Sequence, residues 1–591
     1  MSDYAAPLDD IRFVLNELVD SQAPQDAEGE HAVSQDVVDA VLSEAARFAS
    51  GVLAPLNVVG DRVGARMVDG KVRMPLGFRE AYGLYVEGGW GGLGAPIAHG
   101  GQALPHVVTA AVGEMWKAAN LAFSANFLLT TGAVEALAQH GSRAQQAKYL
   151  PRLVSGEWGG VMNLTEPQAG SDLSAIRTRA VPQADGSYRL YGQKCFITYA
   201  DHDMVDNIVH LVLARLPDAP SGVKGISMFV VSQHLIREDG SLGERNDVHV
   251  TAIEKKLGQH ASPTCAVQHG ETGGAVAEIV GEPGAGLNYI FVMVNAARLG
   301  VALEGLGIAE RALQQAQAYA QTRLQGRVPG ASESVPIARH PDVRRMLQTM
   351  RAQTEAMRAA ALVVAGWLDT AKNDPDAAKR LQFQGLVDLM IPVLKGWMTE
   401  TGAEVASTGI QIHGGAGYVE ETGAAQHLRD IRVAAIYEGT TGIQAADLVG
   451  RKILRTPGVG TLDELQRKMA TILPALHALA GDPGIPPIHA AMKEALRALE
   501  TASGALVEAA RKDLQLALEV SVPYLKMLGI VMGGWQLARA AVVVLARPKG
   551  SSVFSEFARE KVHTARHYAL HVLPSAVALG LTVSRVLAQT R

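Results

Sequence analysis

The stretch Ile436-Tyr-Glu-Gly-Thr-Thr-Gly-Ile-Gln444 places one carboxylate, Glu438, between an apolar run and a Gly-Thr-Thr-Gly turn. Thr441 and Gln444 have the spacing of a capping box, which predicts that a helix begins at Thr441. Glu438 would then lie just outside a helix N-terminus, with apolar residues behind it. A partly desolvated carboxylate is a stronger base than one in water, which suits it to remove a proton from carbon. A surface glutamate in an ordinary turn fits the same stretch. Other motifs in the chain are needed to distinguish a catalytic base from a surface residue.

The composition is that of a large folded chain without a nucleic-acid partner. The 591 residues carry a formal net charge of −5, with 48% apolar and 19% charged residues. These values exclude global disorder and predict about three or four domains. Basic residues are scattered rather than clustered, so we expect no nucleic-acid binding. Cys195 and Cys265 are too few for a disulfide framework and lack metal-ligand spacing, which predicts buried thiols in a reducing compartment and no metal.

Neither a secretory signal nor a membrane span is expected. The first ten residues lack a basic region followed by an apolar one. The charge-free run Met527–Ala538 is bounded by Lys526 and Arg539 and is shorter than the ~20 residues that a spanning helix needs. We therefore expect a cytoplasmic protein without a transmembrane segment.

Hydrophobic spacing predicts an α+β fold with helical, β, helical and appended helical regions. Amphipathic helix is predicted over residues 11–50, and helical patterning resumes over 105–154. After Trp158 the segments become short and β-branched, which is typical of an antiparallel sheet or barrel. The predicted strands are Tyr188–Tyr191, Lys194–Tyr199, Ile208–Ala214, Ile226–Val231 and Cys265–Gln268.

Helical patterning returns over 287–452, and a Pro/Gly linker follows at 456–460. A second capping box, Thr461 with Glu464, is predicted to open the last helical region. The predicted domains are an N-terminal helical domain (1–160), a middle β-domain (161–285), a helical bundle (286–455) and an extra C-terminal helical domain (461–591).

Two polar segments in the β region are candidates for binding a flat ring. Leu164-Thr-Glu-Pro-Gln-Ala-Gly-Ser-Asp172 combines small hydrogen-bonding side chains with a turn whose N–H groups can face an electron-rich ligand edge. The strand Lys194-Cys-Phe-Ile-Thr198 places Phe196 and Thr198 on one face, where an aromatic ring and a hydroxyl could contact a heterocycle. Taken singly, an ordinary polar turn and a core-packing pair explain the two segments equally well.

A third candidate is the segment Gln411-Ile-His-Gly-Gly-Ala-Gly-Tyr418. Its glycines allow close backbone approach to a bulky group, and Gln411 offers both a donor and an acceptor. His413 suggests catalysis, but a histidine satisfied inside a packed loop is the simpler interpretation.

In this order, the candidate segments resemble the acyl-CoA dehydrogenase family over residues 35–452. The motifs that carry the resemblance are Trp90-Gly-Gly-Leu-Gly-Ala-Pro96, Leu164–Asp172, Lys194–Thr198, Glu254-Lys-Lys-Leu-Gly258, Gln411-Ile-His-Gly-Gly415 and Tyr437-Glu-Gly-Thr440. The opening segment Tyr4–Val14 and the helical block after residue 460 resemble a bacterial subgroup with an extra C-terminal helical domain. The resemblance implies the acyl-CoA dehydrogenase fold.

The resemblance also implies a role for each matching residue. Glu438 matches the catalytic base, and Ala297 stands where some members carry the base instead. The residues that match FAD contacts are Thr165, Ser171, Phe196, Thr198, Arg323, Gln411, Gly414, Gly415 and Thr440. The residues that match substrate contacts are Ser171, Arg298, Tyr437 and Gly439. Many members have Trp at the position of Phe196. Phe keeps an aromatic ring there but lacks the indole N–H.

The implied function is FAD-dependent desaturation of an acyl-CoA to the trans-2-enoyl-CoA, with electrons passing to electron-transferring flavoprotein. The subgroup resemblance favours 3-methylmercaptopropionyl-CoA as substrate and a homodimer as assembly. Alternatives are an acyl-CoA oxidase that uses oxygen and a non-catalytic acyl-CoA-binding protein, whose expected mark would be a lost base. The last helical block could also associate with membrane, although burial against the rest of the protein is the simpler expectation. The sequence suggests no second carboxylate near Glu438.

Overall fold

The computed structural model describes residues 4–19, 33–455, 458–547 and 552–589. The helices in these ranges are α1 (Leu8–Glu17), α2 (Gln35–Phe48), α3 (Ala54–Val63), α4 (Phe78–Glu87), α5 (His106–Ala119), α6 (Leu121–His140), α7 (Arg143–Ser155), α8 (Gly286–Thr322), α9 (Pro341–Asn373), α10 (Ala377–His413), α11 (Gly415–Tyr418), α12 (Ala424–Ile431), α13 (Thr441–Asp447), α14 (Gly458–Ala470), α15 (Ile472–Ala478), α16 (Ile485–Lys512), α17 (Leu514–Glu519), α18 (Ser521–Ala546), α19 (Ser552–His571) and α20 (Leu573–Gln589).

The strands are β1 (Arg66–Val68), β2 (Lys71–Arg73), β3 (Trp158–Asn163), β4 (Arg179–Pro182), β5 (Tyr188–Thr198), β6 (Asn207–Arg215), β7 (Ile226–Ser232), β8 (His234–Ile236), β9 (Leu242–Arg245), β10 (Val248–Ile253), β11 (Thr264–His269) and β12 (Ala275–Val280). The order is helical, β, then helical to the end, so the predicted α+β class is confirmed.

The chain forms two compact units. One consists of Met1–Arg47, Pro105–Ala118 and Val301–Arg591, and the other of Phe48–Leu104 and Ala119–Gly300. We call them the helical unit and the sheet unit. The four-domain division at 160, 285 and 460 stays a prediction.

The core of the sheet unit is an eight-stranded sheet in the order β10-β11-β5-β12-β7-β6-β3, with β4 pairing to β5 and β6. The predicted segments Tyr188–Tyr191 and Lys194–Tyr199 are parts of one long strand, β5. The expectation of an antiparallel sheet is wrong in part, because β3 runs parallel to β6. Strand β3 was not predicted, since two glycines and Asn163 weaken its β-branched pattern. Side chains on one face form the core with Leu190, Val212, Phe229 and Val267.

Long helices form the core of the helical unit, to which α8 contributes from Val301 onwards. Helices α8, α9 and α10 are 37, 33 and 37 residues long, and α18 packs against α9 and α10. The approach of α18 to α10 is close because Gly529 has no side chain: a Cβ there would lie 2.4 Å from Cγ of Trp397. Both Trp397 and Leu525 are buried at this contact.

Two helix predictions need correction. The helix predicted over 11–50 is two helices, α1 and α2, and residues 20–32 lie outside the described residues. The capping box Thr461/Glu464 is wrong, because α14 already begins at Gly458. The Glu464 side chain instead accepts a hydrogen bond from Gln382 on α10. Of the predicted linker, residues 456 and 457 lie outside the described residues, and the remainder belongs to α14.

Within the described ranges, three helical segments have the length and composition of a membrane span. They are Leu121–His140, Ser521–Ala546 and Glu556–Gln589. The run Met527–Ala538, which alone looked too short, is therefore part of a helix of sufficient length. The apolar windows of the first two segments are 78% buried inside the protein, whereas that of the third is 33% buried. Protein packing thus covers most of the first two segments.

Candidate active site

The loop that carries Glu438 has a strained backbone. Glu438 has φ +52° and Gly439 has φ +88°, so two consecutive residues are left-handed. Positive φ is uncommon for residues other than glycine and persists where the surroundings hold it. We call residues 437–439 the base loop. Within this loop, Glu438 is half-buried, and it belongs to the helical unit.

The helix after the base loop begins at Thr441, as predicted, but its cap differs. Thr440 is the N-cap residue, and its hydroxyl accepts a hydrogen bond from the Ile443 N–H at 3.2 Å. Gln444 does not close a capping box; its amide donates to the carbonyl oxygens of Glu438 at 3.0 Å and Gly439 at 3.2 Å. The helix start therefore helps to hold the base loop.

Polar side chains from α8 and α10 contact the base loop, in addition to the apolar run that precedes it. The Tyr437 hydroxyl donates to Glu304 on α8. Lys395 Nζ on α10 donates to the Gly439 carbonyl oxygen at 2.6 Å. Glu304 is 1% exposed and Lys395 is fully buried. A lone charge inside an apolar helical run was the signal in the sequence that could have identified both.

The buried carboxylate of Glu304 interacts electrostatically with Glu438. The expectation of no second carboxylate near the base is therefore wrong. The pKa of Glu304 is raised to about 7, chiefly by burial and also by the negative charge of Glu438. The Tyr437 hydrogen bond and the cations Lys117 and Lys395 oppose it. Burial lowers the pKa of Lys117, while Glu304 acts in the opposite direction. The helical unit thus encloses a buried cluster of mixed charge next to the base loop.

In the sheet unit, a buried ion pair holds the 164–172 turn. Lys194 Nζ donates to Glu166 Oε1 at 2.8 Å and to the Leu164 carbonyl at 3.1 Å. The Glu166 carboxylate also accepts from the N–H groups of Arg177 and Thr178 at 2.8 and 3.0 Å. Burial alone would raise the pKa of Glu166, but the charge and hydrogen bonds of Lys194 and its neighbours lower it to about 2. The local patterns of the two motifs do not reveal that this pair joins them.

Phe196 lies on a β-bulge. In the pairing of β5 with β11, Ile197 faces Cys265 and Lys194 faces Val267, so two residues of β5 oppose one of β11. Phe196 itself has φ +57° and is 64% exposed. Bulges re-aim side chains near functional sites. The strand therefore presents an aromatic ring to the surface of the sheet unit, consistent with the prediction for Phe196.

The same unit offers hydroxyl groups available to a ligand. Thr165 and Thr198 are half-buried and Ser171 is exposed. Within the described residues, the side-chain hydroxyls of these three form no intramolecular hydrogen bond, while the Thr165 carbonyl accepts from Cys195 N–H at 3.0 Å. An exposed ring and unused donors, held by a buried ion pair, fit the flat heteroaromatic ring of FAD.

Four further residues assigned to FAD, Arg323, Gln411, Gly414 and Gly415, lie at the C-terminal ends of α8 and α10. Arg323 follows the last residue of α8, and Gln411 belongs to the last turn of α10; both are exposed. These helix ends meet where Tyr319 stacks on His413, with ring centroids 4.5 Å apart. A Cβ added at Gly414 or Gly415 would meet nothing within 4 Å. A cation, an amide and open backbone thus fit a phosphate-bearing group.

His413 is a structural residue, as the simpler interpretation held. Its Nδ1–H donates to the Gly409 carbonyl oxygen at 2.7 Å, and the residue is buried. Burial lowers its pKa. Of the predicted substrate contacts, Ser171 and Arg298 belong to the sheet unit, where Arg298 is 5% exposed, whereas Tyr437 and Gly439 form the base loop.

Family models match the chain over four consecutive ranges. The acyl-CoA dehydrogenase N-terminal, middle and C-terminal domains match residues 38–157, 161–271 and 284–454. A further model, described as acetyl-CoA dehydrogenase C-terminal like, matches residues 464–586.

Individual relatives cover nearly the whole chain. It is 45% identical to the 3-methylmercaptopropionyl-CoA dehydrogenase of Ruegeria pomeroyi, over 96% of each protein. It is 34% identical to the broad-specificity linear acyl-CoA dehydrogenase of Mycobacterium tuberculosis, over 92% of the chain and 91% of that protein. Its fold is similar to that of Caenorhabditis elegans ACDH-11, solved with C11-CoA, with a TM-score of 0.77 and 22% identity over 96% of the chain and 92% of that structure.

Proposed function

This chain belongs to the acyl-CoA dehydrogenase family and catalyses the α,β-desaturation of an acyl-CoA thioester with FAD as cofactor, and we propose that Glu438 is its catalytic base. The observation that carries the proposal is the base loop itself. A half-buried carboxylate lies on left-handed backbone that buried side chains hold in place. Ala297, at the position where some members carry the base, cannot accept a proton.

In this proposal, the Glu438 carboxylate accepts the proton from the α-carbon of the thioester. That proton is weakly acidic, so the enolate charge on the carbonyl oxygen needs a preorganised donor. The backbone N–H of Glu438 is the group of this chain that the family resemblance assigns to that oxygen. When bound, FAD supplies the two-electron acceptor for the hydride that leaves the β-carbon.

We propose 3-methylmercaptopropionyl-CoA as the preferred substrate and the corresponding methylthioacryloyl-CoA as the product. The relative of that name supports the proposal, because its 45% identity extends over 96% of both chains. A linear acyl chain is the second candidate, which the 34% identical mycobacterial relative favours.

An anaerobic titration with a panel of acyl-CoAs tests the substrate. The panel contains 3-methylmercaptopropionyl-CoA, its isosteric carbon analogue pentanoyl-CoA, and saturated thioesters from propionyl to palmitoyl. We expect flavin absorbance to bleach with the highest second-order rate constant for the methylthio substrate. Equal or better values for pentanoyl or longer chains would assign the enzyme to linear acyl-CoAs instead.

We further propose electron-transferring flavoprotein as the electron acceptor. Family membership supports it, and the rival is direct transfer to oxygen. Turnover is measured in air, with and without added electron-transferring flavoprotein, while peroxide is assayed. Dependence of turnover on the flavoprotein supports the proposal, and stoichiometric peroxide without it identifies an oxidase.

A cytoplasmic homodimer is the proposed assembly. The exposed positions of Arg323, Gln411, Gly414 and Gly415 at one end of the helical unit support it, because the resemblance assigns them to FAD held across a subunit interface. Sedimentation velocity of wild-type protein and of the Arg323→Ala variant tests it. A dimer whose FAD content falls in the variant is expected, whereas an FAD-loaded monomer would contradict the proposal.

Membrane association of the last helices is the competing interpretation. The apolar window within Glu556–Gln589 is 33% buried, and this exposure favours it. Co-sedimentation with anionic liposomes decides, and we expect the protein to stay in the supernatant.

A further inference from the structure

The base loop is held from three sides by side chains that are not exposed. Glu304 on α8 accepts from the Tyr437 hydroxyl, and Lys395 on α10 donates to the Gly439 carbonyl at 2.6 Å. Gln444 on α13 donates to the carbonyl oxygens of both Glu438 and Gly439, in two successive peptide bonds. The residue that carries the carboxylate is therefore flanked by an anchor on each side.

These anchors are expensive to bury. Glu304 is 1% exposed and Lys395 is fully buried. A buried charge is costly unless a partner compensates it, and apolar residues of similar volume are often at least as stabilising. Hydrogen bonds that involve a charged group are also stronger than neutral ones. Stability alone therefore gives no reason for charged residues here, whereas fixing a strained loop does.

The same cluster includes one further cation, Lys117, and the Glu438 carboxylate itself. Lys117 on α5 is 7% exposed and interacts electrostatically with Glu304, as does Lys395. The negative charge of Glu438 in turn raises the pKa of Glu304. A shift of the Glu304 side chain thus changes both the anchor of Tyr437 and the electrostatic surroundings of the base.

We propose that Glu304 and Lys395 are positioning residues for Glu438, Glu304 through the Tyr437 hydroxyl and Lys395 through the Gly439 carbonyl. The inference rests on the proposed role of Glu438 as base. Positioning of this kind matters because a displacement of about 1 Å can cost on the order of 10²-fold in rate.

The test isolates proton removal from the rest of the reaction. Holoenzyme is incubated in D₂O with an acyl-CoA that has sulfur in place of the β-carbon, so that no β-hydride can leave. Exchange of its α-protons, followed by mass spectrometry, then reports the base alone. The Kd of this acyl-CoA analogue is measured in parallel. Backbone amide exchange of residues 436–444 is measured without ligand.

Glu304→Ala is expected to slow α-proton exchange roughly 10- to 100-fold while Kd stays within about threefold. Amide exchange across the base loop is expected to accelerate. Glu304→Gln keeps an acceptor for the Tyr437 hydroxyl and is expected to restore most of the exchange rate. Lys395→Met, which keeps the length of the side chain but not its donor, is expected to act as Glu304→Ala does.

Tyr437→Phe removes the same hydrogen bond without touching α8, and it serves if Glu304→Ala does not fold. The matched control is Glu310→Gln on the same helix, a 6% exposed carboxylate paired with Arg358 instead. Normal α-proton exchange in Glu304→Ala or Tyr437→Phe would overturn the inference, as would equal slowing in Glu310→Gln. Glu438→Gln separates the two claims, because wild-type exchange in that variant would refute the base itself.

Discussion

Lys194 Nζ lies 2.8 Å from Glu166 Oε1, and this buried ion pair connects the strand that carries Phe196 and Thr198 with the turn that carries Thr165 and Ser171. The two side chains are 0% and 3% exposed. The pair therefore sets the distance between two segments that are predicted to hold the same flavin ring.

Glu166→Gln should weaken FAD binding without removing any predicted FAD contact. The substitution leaves the Lys194 charge buried with no carboxylate partner, which typically costs about 3–5 kcal/mol, and the turn loses its anchor. The FAD-to-protein ratio after gel filtration is the measurement. Glu278→Gln, which breaks the exposed pair with Lys148, is the control and should retain FAD. Full FAD content in Glu166→Gln would show that the pair does not organise the turn.

The same pair predicts loss of stability in acid. The pKa of Glu166 is lowered from its ordinary value of 4.5 to about 2 by the interactions with Lys194 and its neighbours. Between these values the folded state binds fewer protons than the unfolded state, so stability falls as the pH drops from about 4.5 towards 2, by about 3 kcal/mol in total. The melting temperature of the wild type should therefore decrease more steeply over this range than that of Glu166→Gln. Parallel curves would contradict the assignment.

Phe196→Ala tests whether the exposed ring on the bulge contacts the cofactor. The side chain is 64% exposed, so its removal should hardly affect the melting temperature of the FAD-free protein. Loss of an aromatic contact of about 1–1.5 kcal/mol should raise the FAD Kd roughly tenfold. Leu257→Ala, with 63% exposure in the same unit, is the matched control. An unchanged Kd in Phe196→Ala would remove this residue from the site.

Arg358 should be a stability residue of the helical unit. It donates to Asp10 at 2.5 Å, Glu310 at 2.6 Å and Glu114 at 2.8 Å, and it is 1% exposed. Arg358→Met leaves three carboxylates without their shared cation and should lower the melting temperature by roughly 4–7 °C. Arg345→Met, which breaks an exposed pair, should change it little. Similar melting temperatures for both variants would refute the distinction.

Much of the fold could be predicted because its signals are local. The β-branched runs around Leu211, Phe229 and Val267 are strands, and Met350 and Leu362, within the predicted helical range 287–452, lie in one helix. The start of α13 at Thr441 was also predictable from nearby polar residues.

The prediction errors arise where residues distant in sequence determine the local structure. Thr440 rather than Thr441 caps α13, because the side chain of Gln444 is used to hold the base loop. The bulge at Phe196 depends on the register with β11, which no local pattern reveals. Glu304 and Lys395 approach the base loop from helices more than 40 residues away in sequence, so their role depends on tertiary packing. The FAD and substrate contacts assigned to the site residues, Phe196 and Thr440 included, stay predictions from the family resemblance.

The most direct test of the central claim is anaerobic stopped-flow bleaching of the flavin in wild-type protein and in Glu438→Gln, with 3-methylmercaptopropionyl-CoA and with the best substrate of the panel. Because Gln cannot accept the α-proton, we expect the rate of bleaching to fall by ~10²–10⁴-fold. The acyl-CoA Kd should remain similar, since the amide is nearly isosteric with the carboxylate. Bleaching of the FAD-loaded variant at the wild-type rate would contradict the assignment of Glu438 as the base.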